Sequence, residues 1–173
     1  SDIPLKKLPT QYIGFSPEHK GFAGTISLSS NLITSMIKEV GGQLSEMGFK
    51  RLILINGHGG QISLLNTAAR ELRNFAPGIA VFPCFLWSGV NGLSELLTKT
   101  EIEDGLHASL AETSLMLALK PELVGNERPN EVIKGRIPEG WSLEGNAPTA
   151  WLTDDFSKSG VIGDSRGANE SLG

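Results

Sequence analysis

Apolar residues recur along this chain at two spacings, and the places where one gives way to the other outline its elements. Ile33, Ile37, Val40, Leu44 and Met47 return at steps of four and three, the repeat of a single helical stripe. Ahead of them the cluster Ser29, Ser30, Asn31 offers oxygens to the first orphan amides of a helix. Gly48 stands where a left-handed C-terminal cap is wanted. "RLILI", residues 51 to 55, is short, apolar and partly β-branched, the pattern of a strand covered on both faces. "ISLLNTAARELRNFA" then sets Leu65, Ala69 and Leu72 on one helical stripe and stops at Pro77 and Gly78. "IAVFPCF" predicts a second strand, with Pro83 marking a bulge or an edge. A last helix is predicted from about Ala108 to Leu119, stopped by Lys120 and Pro121. Residues 1 to 24, studded with Pro and Gly, read as loop with a short strand. From Gly125 onward Gly, Pro and charge dominate, which predicts a long ordered arm or lid, not a second domain.

Helix, strand, helix, strand with short connections is the pattern of βαβ construction and a mainly parallel sheet, so the expected class is α/β in one domain spanning residues 1–173. The stretch "RLILINGHGGQISLL" gains meaning from that topology. His58 falls at the carboxyl end of a strand, where open α/β sheets bind ligands, and Gly59 and Gly60 let the backbone come close to a bound molecule.

Composition narrows the partners. With 173 residues and 39% hydrophobic content, the chain can build a core without disulfide or structural metal. A formal charge of −4 and the lack of a basic patch argue against nucleic acid and anionic membranes, and for small molecules. No apolar run approaches the roughly 18 residues of a membrane helix, and no signal sequence opens the chain, so a cytoplasmic location is expected. Cys84, the single cysteine, sits in an apolar run and is expected to be a buried, inert thiol.

Candidate chemistry gathers at three histidines, His19, His58 and His107, each in or beside a glycine-bearing loop. Glu112 shares a helical stripe with Leu115, Met116 and Leu119, which would point its carboxylate into the apolar interior. A buried carboxylate must be protonated, hydrogen-bonded, paired or metal-bound, so the residues leave a core acid, a metal ligand and a catalytic acid open. His107, five residues earlier, does not share that face at about 100° per residue. It is better placed just before the helix, overhanging a site with Glu112 in its floor, where its ring could shuttle a proton. A neutral His58 would suit zinc or manganese. A phosphate cradle is the lesser alternative, since "NGHGGQ" has neither the P-loop spacing nor its lysine.

Four motifs in order, "FAGTISL", "LILINGHGGQ", "HASLAETSLMLALKPELV" and "TAWLTDDFSKSGVIGDSRGA", resemble the creatininase (creatinine amidohydrolase) family over essentially the whole chain. The resemblance implies a three-layer α/β/α sandwich, a homo-oligomer that is often a hexamer, and two divalent metal ions, commonly zinc, manganese or iron. It implies hydrolysis of a non-peptide C–N bond, a cyclic amide or formamide, through a metal-bound hydroxide; some relatives cleave peptides. Carried over position by position, His58 and Glu112 are metal ligands, His107 is the catalytic acid/base, His19 lies near the pocket, and Trp87 falls where creatinine-acting members place an aromatic wall; Gly59 and Gly60 are expected to bind substrate with His19 and Trp87. Ala23, Gln61 and Ser109 replace a proline, an asparagine and a glycine of the family motifs. Gly60 and Leu106 stand where creatinine-acting members carry acids, which argues against creatinine itself. The family's N-terminal ExH…D ligand segment and an apolar C-terminal helix have no counterpart in the sequence. The alternative expectation is therefore a catalytically inactive truncated homologue that keeps the fold and assembly surfaces.

Overall fold

The computed structural model describes residues 4–133, 137–143 and 148–173. Its contacts divide into two compact units, one of residues 4–16 and 24–88, the other of 17–23 and the described residues from 89 to 173.

The first unit is built as helix α1 (Ser30–Glu46), strand β1 (Arg51–Asn56), helix α2 (Ile62–Phe75) and strand β2 (Ala80–Phe85). Ser29 caps α1, its hydroxyl accepting the Leu32 amide at 3.3 Å. Gly48, at φ 91°, takes the left-handed turn that lets the Phe49 amide reach back to the Leu44 carbonyl. The buried stripe differs from the predicted one in its second half. Ile33 and Ile37 are buried and continue into Gly41 and Gly42, while Val40 and Met47 are exposed. Close packing of α2 is the reason: a Cβ on Gly41 would lie 2.2 Å from Leu72 Cδ2, and one on Gly42 would lie 2.8 Å from Phe75. Gly41→Ala should thus lower stability by about 1–3 kcal/mol through overpacking, read from the denaturant midpoint. Leu72, fully buried, joins Ile33, Ile37, Leu65 and Ala68 in the core.

Strands β1 and β2 pair in parallel, from Arg51 opposite Ala80 to Asn56 opposite Phe85. The Ala80 and Leu86 amides donate to the Lys50 and Asn56 carbonyls, so even-numbered amides of β2 face β1 and the Pro83 nitrogen faces away from it. Pro83 thus marks an edge, one of the two readings the sequence offered. Coverage of the strands is one-sided within this unit. Leu52, Leu54 and Val81 pack on the core, whereas Ile53, Ile55 and Phe82 are exposed. Cys84 lies opposite Ile55 on the uncovered face and is exposed, not buried. A short apolar run has no period to separate one covered face from two, which is why the expectation failed.

The second unit holds a 3₁₀ turn (Pro17–His19), helices α3 (Leu93–Leu96), α4 (Lys99–Asp104) and α5 (Leu110–Leu119), a 3₁₀ turn (Pro121–Leu123), strand β3 (Asn130–Glu131), helix α6 (Thr153–Phe156) and strand β4 (Gly163–Asp164). Strand β3 pairs antiparallel with β4. The segment expected as an arm packs a small core of its own, with Ile133, Leu143 and Ile162 buried against Leu106, Trp151 and Phe156. Helix α5 begins at Leu110 and not near Ala108, because Ala108 has φ 49°, outside the helical region. Among the described residues no helix is long and apolar enough to cross a membrane.

Glu131 ties the loop before β4, accepting the Lys158 and Ser159 amides at 3.2 and 3.0 Å. Hydrogen bonding from Ser159 is the largest effect and, with the Lys158 amide, holds its carboxyl below the ordinary glutamate value of 4.5. A folded pKa below the unfolded one adds stability above the unfolded value and loses it as pH falls. Thermal melts should therefore show a loss of Tm on acidification below about pH 4.5, and Glu131→Gln should flatten part of that slope.

Candidate functional site

In the first unit the turn after β1 is organised by Asn56. This side chain is 2% exposed, and its Oδ1 accepts both the His58 amide and Gln61 Nε2 at 2.9 Å. Such a side-chain bond two residues ahead folds the backbone into a turn. Gln61 passes the connection on, its Oε1 accepting the Phe15 amide at 3.2 Å. The half-buried His58 is thereby fixed just beyond the carboxyl end of β1, followed by Gly59 and Gly60 in the 3₁₀ turn Gly59–Gln61. Trp87 lies half-buried in the turn after β2. A cleft of about 240 Å³ is lined by Asn56, Ile62, Asn66, Phe85 and Ser88, among others.

In the second unit two of the predicted histidines meet. The His19 and His107 rings stack with centroids 3.8 Å apart and planes 26° from parallel. His19 is 7% exposed; its Nδ1 lies 2.5 Å from the Thr153 hydroxyl and its Nε2 3.6 Å from Glu18 Oε1. Trp151 approaches the same ring edge-on at 6.1 Å. His107 is held by its backbone, which exchanges hydrogen bonds of 3.1 and 2.8 Å with Ile162.

His107 Nδ1 is 3.9 Å from Glu112 Oε2, which also accepts the Ala108 amide at 2.7 Å. The Thr113 hydroxyl donates to the Ala108 carbonyl at 2.8 Å. The strained Ala108 is thus fastened at both its polar groups by the first turn of α5. Glu112 does not point into an apolar interior: its side chain is 41% exposed, and Met116 and Leu119 of its stripe are exposed too. The carboxylate instead turns to the amide end of its own helix, where partial positive charge and an unpaired N–H favour it. Ser114 is the residue α5 buries.

Four residues escaped the sequence reading. Thr153 and Trp151 belong to "TAWLTDDF", but nothing local indicates that Thr153 contacts a histidine 134 positions away. Glu18 adjoins His19 without a pattern that marks it. Glu101 did carry a signal, since Thr98 and Glu101 have capping-box spacing. The Thr98 hydroxyl does accept the Glu101 amide, at 3.2 Å.

The donors fit a divalent ion of borderline softness. Glu112 Oε2 is engaged by an amide, while Oε1 has no protein donor among the described residues and the side chain is accessible. An imidazole and a carboxylate are ligand types that zinc and manganese both accept. Such an ion takes about four ligands or more.

A family profile described as creatinine amidohydrolase matches residues 2–173. The chain is 29% identical over 165 residues to the mycofactocin precursor peptide peptidase of Mycobacterium tuberculosis (strain CDC 1551 / Oshkosh), covering 92% of this chain and 55% of that one. To the creatinine amidohydrolase of Pseudomonas putida it is 31% identical over 137 residues, covering 70% of this chain and 52% of the relative. The chain thus spans about half the length of these curated relatives. A solved creatinine amidohydrolase (creatininase) superposes with a TM-score of 0.64 at 23% identity, covering 94% of this chain and 65% of that one. A manganese creatininase structure gives 0.60 at 24% identity, with coverages of 87% and 60%. At these identities the structures speak for the fold, an α/β fold of the creatininase kind.

Proposed function

The chain belongs to the creatininase family, and on that premise we propose that it is a metal-dependent amidohydrolase, with His58 and Glu112 each assigned as a metal ligand by its match to a family motif. The observation that carries the reading is the pairing of His107 with Glu112 across the fastened Ala108 turn, at 3.9 Å. A divalent ion held by Glu112 would supply Lewis acidity and a water of lowered pKa at neutral pH. His107 holds the proton that the departing nitrogen takes up as the C–N bond breaks. Stacking on His19 fixes the plane of the His107 ring, and Thr153 fixes His19 in turn. Gly59 and Gly60 leave the approach to His58 open, and Trp87 is assigned to the pocket wall. The oligomer expected from the resemblance, a hexamer, belongs to the same proposal and is checked by light scattering.

The substrate class is a small cyclic amide or formamide. Creatinine is disfavoured because Gly60 and Leu106 lack the carboxylates that creatinine-acting members present at these places. Similarity to the mycofactocin precursor peptide peptidases over most of the chain favours a second reading, cleavage of a short peptide. A hydrolysis panel of creatinine, formamides, cyclic amides and short peptides, run with zinc, manganese or a chelator, separates these readings. Metal-dependent turnover of any amide supports the proposal. Metal-independent turnover, or none on any class with metal bound, contradicts it.

A further inference from the structure

Helix α4 carries a buried acid that the chemistry above does not use. Glu101 is 7% exposed, and both its oxygens are committed: Oε2 accepts the Ser109 hydroxyl at 2.7 Å and Oε1 the Ala111 amide at 2.9 Å. Ser109 is 1% exposed, and its oxygen also accepts the Asp164 amide of β4 at 3.1 Å. Two glycines make room for this arrangement. A Cβ on Gly105 would lie 2.5 Å from Glu101 Cδ, and one on Gly163 would lie 2.5 Å from Ser109 Oγ.

An acid is a costly way to fill a buried place unless its oxygens are satisfied. Both donors that satisfy this one belong to the short segment from Ser109 to Ala111, immediately after the His107–Ala108 turn. A simple helix cap would need only the Ala111 amide. The added Ser109 hydroxyl links α4, β4 and the turn, where the family motif has a glycine that offers no such link. Ala108 has φ 49°, a conformation that a residue with a Cβ keeps only where its surroundings over-determine it. Glu112 and Thr113 fasten that turn from α5, and Ile162 fastens His107 from the other side.

We propose that Glu101 is a positioning residue that acts through the Ser109 hydroxyl to hold the His107–Ala108 turn in place, given the reading of His107 as the acid/base group. The test is made on metal-free protein by NMR, following the His107 ring Cε1–H signal and the Ala108 Cα and Cβ shifts well below the melting temperature. Those Ala108 shifts report its left-handed backbone directly, which a change in global stability would not move. Glu101→Ala is expected to shift both residues away from their native positions. Glu101→Gln should bring them most of the way back, since it keeps an oxygen for the Ala111 amide and a polar group for Ser109. In a Ser109→Ala background, Glu101→Ala should add no further shift.

Unmoved His107 and Ala108 signals in folded Glu101→Ala would overturn the role, and an undiminished shift in the Ser109→Ala background would overturn the route through the hydroxyl. Should Glu101→Ala not fold, Ser109→Ala decides alone: a displaced His107 signal is expected, and a native one overturns the proposal. Failure of the hydrolase reading would show in the activity panel and leave these NMR outcomes untouched.

Discussion

Replacing His107 with alanine is expected to lower kcat for amide hydrolysis by about 10²–10⁴-fold, the usual worth of a positioned acid or base, with bound metal unchanged. The basis is its place. The ring sits on a turn of the second unit that is fastened from α5 and from Ile162, with its Nδ1 3.9 Å from Glu112 and its face against His19. Loss of the ring removes a proton donor but no donor atom assigned to metal. Activity assays paired with elemental analysis of the same sample check this. If metal and activity fall together, His107 is a ligand and the acid/base role is wrong.

Replacing His58 with alanine should instead remove metal first and activity as a result. Loss of an outer-shell partner already costs about 10–100-fold in metal affinity, and a direct ligand should exceed that. Glu112→Gln makes the companion test. The amide oxygen of glutamine can still accept the Ala108 N–H, so the turn should persist while the charged ligand is gone. Metal titration should therefore show weakened binding in both variants, with the circular dichroism of the parent retained. Full metal affinity in Glu112→Gln would mean that Glu112 serves only to fasten the turn.

The fold was legible where local pattern and tertiary packing agree. Helix α2 follows from spacing, the two parallel strands from short apolar runs in βαβ order, and the Gly48 cap from residue choice, because left-handed geometry leaves a direct trace there. Packing of α1 was legible only in part. The periodic apolar positions gave way to Gly41 and Gly42, since the near approach of Leu72 and Phe75 rewards the absence of a side chain.

The site was half legible for a related reason. Histidines in glycine-bearing loops and a carboxylate on an apolar helical stripe could be picked out singly, and His107, whose five-residue separation keeps it off that face, could be placed just before the helix, overhanging Glu112. The burial of Glu112 was misjudged because a stripe of spacing does not say whether anything covers it. Thr153 and Trp151 reach His19 only through the fold of the second unit, and Ala108 has no glycine to announce its positive φ.

The most direct test of the central claim is the metal content of the purified protein, measured by elemental mass spectrometry after loading with zinc or manganese and exhaustive desalting. The account predicts that metal is retained by the parent protein and lost from His58→Ala and Glu112→Gln. A parent protein that desalts to no metal, or variants that retain as much as the parent, would contradict it.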